Sequence, residues 1–375
     1  MSFNNKHTNL VRLGECIEQT EKRNYDLFYG SDDVVGMTIT KQIIPTKADV
    51  ENTDLTKFLI VLPREFVYNP RTHGKKIGLG FNNTDKTVMI SWNNISFKVK
   101  DSKIDISVLP EYLYILFCRD EWDREACYRS LGSSTEVFSW GEMCDMKIPL
   151  PSIEVQQQLV DTYNGLKVLA EQNEALIKPL TDACQAYIID CKKKYSEVEL
   201  GDYLDFFHEK NTDCKITLEQ GINIDKVFIN PHRPNSDLSS RIIVRKGQFA
   251  YCTQLNNENV AIAFRKGEDC VVSTVYNAFE IKQHYKNILF PEYLFMWLTR
   301  KEFGRFVYWR SIGSAYEFLR EENMREYKIP LPPPVVQQAI VDIYNCAEEA
   351  KKITNDAREK MKNLCPALVQ RAING

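Results

Sequence analysis

The longest regular pattern of apolar and polar positions lies in two stretches that each follow an Ile-Pro-Leu-Pro run. Side chains that could form a seam, the line of contact between two paired helices, recur there at alternating spacings of four and three residues. In the first stretch they are Leu159, Tyr163, Leu166, Ala170, Asn173, Ile177, Leu180, Cys184 and Tyr187. In the second they are Ile343, Ala347, Ala350, Thr354, Ala357, Met361, Leu364 and Leu368. This spacing predicts two long helices that pair as a coiled coil, unless each helix packs only on its own globular domain.

These two stretches belong to an internal repeat of the whole chain. From Ile148 the sequence reads IPLPSIEVQQQLVDTYN, and from Ile329 it reads IPLPPPVVQQAIVDIYN. The distance between the copies is far longer than a solenoid repeat, so the repeating unit is a whole domain followed by a helix. We therefore expect a first domain at residues 11–151, a long helix at 152–195, a second domain at 196–332 and a second long helix at 333–373.

Each expected domain contains short strand-like runs and one buried helical pattern. An apolar run, a turn and a second apolar-aromatic run at residues 57–68 and 241–251 predict a hairpin in each copy. Pro110 and Pro291 each precede apolar residues at helical spacing, which places a proline in the first turn of a buried helix. The expected fold class is α+β, with two tandem mixed α/β domains and two long helices.

Composition narrows the class of protein without naming a ligand. The 375 residues are 43% hydrophobic and 26% charged, as in globular proteins, and this length suits two domains. The formal net charge of −3 gives no overall attraction to nucleic acid. The sequence lacks a run of about eighteen apolar residues and the apolar core of a signal peptide. We therefore expect a cytoplasmic protein whose eleven cysteines are free thiols.

A variable domain, then IPLP-x4-QQ, then a long helix, occurring twice, resembles the specificity (S) subunit of type I restriction–modification systems. The resemblance covers essentially the whole chain from Val11. It implies two target recognition domains, held apart by an antiparallel coiled coil and related by a pseudo-two-fold axis. It also implies a two-part site in double-stranded DNA, two docked methyltransferase (M) subunits and, where the system also cleaves DNA, motor-nuclease (R) subunits. S-adenosylmethionine is expected in the partner methyltransferase, and no cofactor in this chain.

The distribution of charge within the domains suggests which residues bind DNA. Residues 57–100 contain eight basic and two acidic side chains, and residues 241–286 contain seven basic and four acidic ones. Cations neutralise phosphates, while Asn and Gln pair with adenine edges. We predict DNA contacts from Arg71, Lys75, Lys76, Asn82, Asn83, Lys86, Arg233, Gln254, Asn256, Asn257, Arg265 and Lys266. The alternative for any one of the lysines is a solvated strand edge.

The polar residues at the start of each long helix are the same in both repeats, whereas the residues expected to contact DNA differ. Two copies of one partner would be bound through residues that both halves of the chain share. We therefore predict that the methyltransferase subunits contact Gln156, Gln157, Asp161, Gln337, Gln338 and Asp342. The alternative is that these side chains cap the helix and attach the domain to its own helix.

Motifs for catalysis are missing from the sequence. It has no P-loop and no Asn/Asp-Pro-Pro-aromatic methyltransferase loop, and its five histidines are too dispersed to suggest a metal site. Glu136 and Glu317 argue against phosphate contact by the loops that contain them. We expect a non-catalytic reader of DNA. The alternatives are a specificity protein for a phage-defence methyltransferase without a nuclease, a coiled-coil scaffold that binds only proteins, or an enzyme whose site is not recognised.

Overall fold

The two halves of the sequence repeat fold with the same order of elements. A computed structural model describes residues 9–73, 76–101, 107–130, 136–231, 233–255, 258–311 and 318–374. The chain divides into a first unit, Met1–Gln172 with Ile353–Gly375, and a second unit, Asn173–Lys352. Each long helix is therefore shared between the units, whereas the sequence analysis treated the helices as separate segments.

The first unit combines short antiparallel strands with helices. Its strands are β1 (Asn9–Arg12), β2 (Ile17–Thr20), β3 (Val35–Met37), β4 (Ile43–Pro45), β5 (Leu59–Val61), β6 (Phe66–His73), β7 (Lys76–Phe81), β8 (Val88–Ile90), β9 (Ile95–Val99) and β10 (Lys147–Leu150). Its helices are α1 (Leu13–Cys16), α2 (Pro110–Phe117), α3 (Asp120–Arg129), α4 (Trp140–Asp145) and the first half of α5 (Ile153–Lys194).

The second unit repeats this order. Its strands are β11 (Glu197–Glu199), β12 (Leu204–Phe207), β13 (Gly221–Ile222), β14 (Phe228–Ile229), β15 (Ile242–Val244), β16 (Phe249–Cys252), β17 (Ile262–Phe264), β18 (Cys270–Val272), β19 (Tyr276–Ile281) and β20 (Lys328–Pro330). Its helices are α6 (Pro291–Leu298), α7 (Lys301–Ser311), α8 (Glu321–Glu326) and the first half of α9 (Pro334–Asn374).

Strand pairing is also the same in the two units. A four-stranded sheet has the order β2-β9-β6-β7 in the first unit and β12-β19-β16-β17 in the second. Strand β1 pairs with β10, as β11 pairs with β20, and these pairs join the start of each unit to its Ile-Pro run. The expected α+β class with two tandem domains and long helices is confirmed.

The hairpins predicted at residues 57–68 and 241–251 are wrong. Strand β5 pairs with β8, while β6 pairs with β7 and β9 in the larger sheet. The chain changes sheets at Arg64, which adopts a left-handed φ of 67°. All three side chains of β5 are buried, so both faces of this strand need covering, which a simple hairpin would not provide. The second unit does the same, because β15 pairs with β18.

Both repeats contain a Leu-Gly pair, Leu13-Gly14 and Leu200-Gly201, in which the glycine allows a neighbouring helix to come close. A Cβ added to Gly14 would lie 2.8 Å from Cys144 Cβ, and one added to Gly201 would lie 3.0 Å from Arg325 Cβ. Real Cβ atoms rarely come so close to another atom, so a larger residue would push α4 or α8 away. The repeated glycine is explained by packing.

The long helices pack against each other within each unit. In the first unit, Thr354 Oγ1 of α9 donates to the carbonyl of Ala170 at 3.4 Å, and Leu364 packs on the cluster that contains Leu159. In the second unit, the Cys184 thiol faces the carbonyl of Ile340 at 3.9 Å. Residue numbers rise along one helix as they fall along the other, so the pairing is antiparallel, as the resemblance implied.

One seam position was assigned wrongly. Tyr187 is 54% exposed, whereas the next residue, Ile188, is 1% exposed and packs in the core of the second unit. A straight helix has 3.6 residues per turn, so a strict 3.5-residue pattern drifts around its surface. Near the end of α5 this drift directs the seam towards the second domain.

Over the described residues, the structure contains no helix with the length and apolar character needed to cross a membrane.

Candidate nucleic-acid interface

A matching position just beyond Tyr68 and Tyr251 differs in residue type between the units. Arg71 and Gln254 each lie three residues after these matching buried tyrosines. The backbone of Arg71 pairs with Val137 in an isolated antiparallel bridge, and that of Gln254 pairs in the same way with Phe318. Both side chains are exposed. We call this place the reading position, occupied by Arg71 in the first unit and Gln254 in the second.

Backbone hydrogen bonds fix the segment before the reading position. The Phe138 amide donates to the Pro70 carbonyl at 2.7 Å, and the Leu319 amide donates to the Thr253 carbonyl at 2.8 Å. In the first unit the carboxylate of Glu136 also accepts from the Thr72 hydroxyl at 2.7 Å. Glu136 therefore stabilises the loop, and Glu317 lies outside the described residues.

A buried ion pair supports the neighbouring strand in the first unit. Lys41, with a left-handed φ of 64°, ends the turn between β3 and β4. Its ammonium donates to the Ile77 carbonyl at 2.5 Å and to Asp123 Oδ1 at 2.6 Å. The side chains of the pair are 3% and 8% exposed. This pair could not be predicted from the sequence, because the two residues are distant in the chain and neither stands in a motif.

The second unit has the lysine without the carboxylate. Lys226 also has a left-handed φ, 63°, and its ammonium donates to the Val260 carbonyl at 2.8 Å. Gly304 occupies the position that Asp123 has in the first unit, and an added Cβ there would lie 2.0 Å from the Glu258 carbonyl oxygen. Burial lowers the pKa of Lys226 to about 8, because the charged form loses hydration.

In the described part of residues 57–100, four basic side chains pair with carboxylates outside that stretch. Arg64 pairs with Glu111 at 2.6 Å, Lys98 with Glu18 at 3.1 Å, Lys76 with Asp120 at 3.7 Å and Lys57 with Asp54 at 4.0 Å. In the second unit, the pairs Arg241–Glu219 and Arg245–Glu209 also use carboxylates outside residues 241–286, whereas Arg245–Asp269 and Lys286–Glu280 lie within them. Within the described parts of the chain, the exposed predicted cations that form no ion pair are Arg71, Lys86, Arg233 and Lys266.

Two of the residues predicted to contact DNA are buried, and those predictions are wrong. Asn82 is 2% exposed, and its amide donates to the carbonyls of Val61 and Lys86 at 3.1 and 2.8 Å. Arg265 is 7% exposed, donates to Gln220 Oε1 at 2.5 Å, and lies over the Phe228 ring. Both side chains satisfy buried polar groups within their own unit, so they are not available to DNA.

The other predicted DNA contacts remain predictions. Asn83 is exposed in the turn that connects β7 to β8, where Lys86 also lies. The Lys266 ammonium lies 5.8 Å from the centre of the Tyr344 ring. Lys76 is engaged by Asp120 but stays partly exposed. The residues that lie outside the described part of the chain are Lys75, Asn256 and Asn257.

Gln156 and Gln337 are not partner contacts, because neither side chain has exposed surface. Gln156 Nε2 donates to the carbonyls of Ser107 and Pro151, both at 3.0 Å, and its Oε1 accepts from the Leu109 amide at 2.9 Å. Each glutamine attaches its domain to the start of its own helix, which is the alternative considered above.

Gln337 repeats this arrangement in the second unit. It donates to the carbonyls of Ile288 and Pro332 at 2.7 and 2.8 Å, and accepts from the Phe290 amide at 2.9 Å. A buried tyrosine completes the attachment in each unit, because Tyr112 donates to the Pro149 carbonyl at 2.7 Å and Tyr293 donates to the Pro330 carbonyl at 2.9 Å.

The remaining predicted partner residues form one exposed pair in each unit. Gln157 Nε2 donates to Asp161 Oδ1 at 2.8 Å, and Gln338 Nε2 donates to Asp342 Oδ1 at 2.8 Å. All four side chains are exposed on the first turns of α5 and α9. The two units thus present the same amide–carboxylate pair at the same place, and these residues remain predicted partner contacts.

Comparison with known proteins defines the class. Residues 192–362 match the family described as "Type I restriction modification DNA specificity domain". Residues 192–362 therefore carry a type I restriction–modification DNA specificity domain. No curated protein sequence matches the chain.

Solved structures extend the comparison to the whole fold. The S subunit of the type I system from M. genitalium has a TM-score of 0.57 and 13% identity, over 100% of this chain and 97% of that chain. The HsdS subunit from Thermoanaerobacter tengcongensis has a TM-score of 0.40 and 15% identity, over 98% of this chain and 96% of that chain. The family match and the shared fold support a DNA sequence-specificity subunit, and a scaffold that binds only proteins is not favoured.

Proposed function

We propose that each unit reads one half of a two-part site in double-stranded DNA, and that the reading position contacts a base in each half. The observation that carries this proposal is the pair Arg71 and Gln254. The backbones on either side of these residues match, and both side chains are exposed, yet the residue types differ. Both units keep the same backbone arrangement around the reading position, but the exposed polar side chain differs. This suits a protein that reads two different half-sites.

The chemistry of the two side chains suggests different bases. Arginine donates two hydrogen bonds to O6 and N7 of guanine, whereas glutamine pairs with N6 and N7 of adenine. We therefore expect the first unit to prefer guanine at the base that faces Arg71, and the second to prefer adenine at the base that faces Gln254. The exposed cations Lys86, Arg233 and Lys266 would contact phosphates and provide affinity without sequence preference.

Replacing Arg71 with alanine should relax discrimination in one half of the site only. A bidentate contact contributes about 1–3 kcal/mol of discrimination, so we expect a loss of roughly 5- to 150-fold against base changes in that half. Gln254→Ala should have the matching effect on the other half. The measurement is the affinity of the assembled complex for duplexes with base changes confined to one half-site, at fixed salt concentration.

Arg12→Ala is the matched control, because Arg12 is exposed and paired with Asp145 outside the reading position. It should leave discrimination unchanged in both halves. Equal loss in both halves for Arg71→Ala would contradict the assignment of one unit to each half-site. Genome-wide mapping of methylated positions, with and without this chain, should give a two-part motif, and a single contiguous site would contradict the proposal.

We also infer that two methyltransferase subunits bind through the exposed amide–carboxylate pairs. Asp161→Lys and Asp342→Lys should each weaken the binding of one methyltransferase copy, because charge reversal places a cation where the partner meets a carboxylate. Asp182→Lys, also an exposed position on α5, is the control. Stoichiometry measured by native mass spectrometry checks this prediction. Two bound copies in both variants would assign these residues to helix capping alone.

The chain itself is proposed to be non-catalytic. The methyltransferase would supply S-adenosylmethionine and modify adenine, and motor-nuclease subunits would join where the system also cleaves DNA. The complex would act in the cytoplasm as part of phage defence. Turnover by the isolated chain on DNA with S-adenosylmethionine or ATP would contradict this part of the proposal.

A further inference from the structure

An exposed face on α3 combines a charge cluster with an aromatic side chain. Glu121 lies between two arginines, with Arg119 Nε at 3.3 Å from one carboxylate oxygen and Arg124 Nη2 at 3.1 Å from the other. Tyr128 follows Arg124 by one helical turn and is 75% exposed. Residues four apart lie on one side of a helix, so the arginine and the tyrosine form a continuous surface.

The second unit has the same face on α7. Glu302 lies between Arg300, at 3.2 Å, and Arg305, at 3.7 Å. Trp309 follows Arg305 by one turn and is 73% exposed. We call each of these surfaces the arginine–aromatic face: Glu121, Arg124 and Tyr128 in the first unit, and Glu302, Arg305 and Trp309 in the second. Arg119 and Arg300 lie beneath the two glutamates, with side chains that are only 18% and 9% exposed.

Stability of the fold does not explain why both units keep this face. Exposed ion pairs contribute only about 0–1 kcal/mol, and a large aromatic side chain left in water contributes no burial. The residue at the reading position, by contrast, differs between the units. An exposed feature that is the same in two units with different reading residues indicates a ligand that is the same for both.

The composition of the face indicates a protein rather than DNA. Tyrosine, tryptophan and arginine are the residues that dominate the energetic centres of protein–protein interfaces. In the first unit, Asp120 and Glu125 lie exposed beside Glu121, with Arg124 as the most exposed cation of the face. In the first unit this acidic surrounding repels phosphates. In the second unit Lys301 and Phe306 occupy the matching positions, so there the residue types of the face alone favour a protein.

We propose that each arginine–aromatic face is the docking patch for one copy of a protein that binds the chain twice, the methyltransferase subunit. This inference rests on the proposed function and adds a second contact, separate from the amide–carboxylate pair on the long helices. Tyr128 and Trp309 are the anchor side chains, and their arginines provide the polar contacts around them.

The test measures how many methyltransferase copies bind full-length variants, by native mass spectrometry, and the dissociation constants, by calorimetry. Tyr128→Ser and Trp309→Ser should each weaken one of the two copies at least tenfold, and the double variant should weaken both. Tyr128→Phe and Trp309→Tyr should retain two copies, because the aromatic contact is kept. Trp92→Ser removes an aromatic residue that is 62% exposed outside the face, and should have no effect.

Each other outcome identifies what has failed. A parent chain that binds no methyltransferase overturns the proposed partner, and this inference with it. A parent and a double variant that both bind two copies with equal affinity overturn only the docking patch. A double variant with tenfold weaker DNA binding in the absence of the methyltransferase also overturns it, because the face would then contact nucleic acid.

Discussion

Asp123→Ala is expected to destabilise the first unit by about 3–5 kcal/mol, since it leaves the buried Lys41 ammonium without its carboxylate. Asp123 also accepts from the Ile77 amide at 3.1 Å, so a strand hydrogen bond next to the reading position is lost as well. Chemical denaturation followed by tryptophan fluorescence would measure the change, with Trp122 of the first core as a reporter.

Two variants make this experiment specific to the buried pair. Glu111→Ala removes the carboxylate of an ion pair whose arginine is 59% exposed, and should change stability by about 1 kcal/mol or less. The double variant Lys41→Met with Asp123→Leu removes both charges and should recover much of the loss. A change below about 1 kcal/mol for Asp123→Ala would show that water or a rearranged lysine replaces the carboxylate.

Gln337→Ala is expected to have the second largest effect, a loss of about 2–4 kcal/mol. The substitution leaves the amide of Phe290 and the carbonyls of Ile288 and Pro332 without their partner, and each buried unsatisfied group costs about 1–3 kcal/mol unless water reaches it. The free energy of unfolding of the second unit measures this effect.

The neighbouring glutamine provides a direct control. Gln338 is exposed and bonds only to Asp342 among the described residues, so Gln338→Ala should change stability by about 0.5 kcal/mol or less. The same substitution at adjacent positions would separate the structural glutamine from the surface one. Equal effects at the two positions would contradict the assignment of Gln337 as the attachment of the domain to its helix.

The sequence was sufficient for the repeat and the long helices, because heptad spacing and a duplicated motif are local patterns, and the family resemblance added their antiparallel pairing. It was not sufficient to predict whether an individual polar side chain is buried and bonded within the protein or exposed. Asn82 and Arg265 have the residue types of DNA contacts, but their partners come from other strands and turns. Counting charges along residues 57–100 failed for the same reason, since Glu18 and Glu111 lie outside that stretch.

Repetition was more informative than composition for the functional surfaces. Arg71 and Gln254 are equivalent only once strand pairing is known, because the segments around them differ in sequence. Repetition alone does not separate folding residues from binding residues, as the Gln156-Gln157 pair shows. Both glutamines recur in the second repeat, yet the first is buried and the second is exposed. Repetition therefore identifies residues that matter in both units, and burial decides whether they act in folding or in binding.

The division of each long helix has a consequence for biosynthesis. The second unit is continuous in sequence, whereas the first unit is built from two segments of the chain. The second segment is the later part of α9, whose Thr354 contacts Ala170 and whose Leu364 packs on the core around Leu159. The half of the protein that is translated first therefore waits for a segment that is synthesised after the second unit. A message truncated before residue 353 would release the first unit with an apolar surface of α5 uncovered.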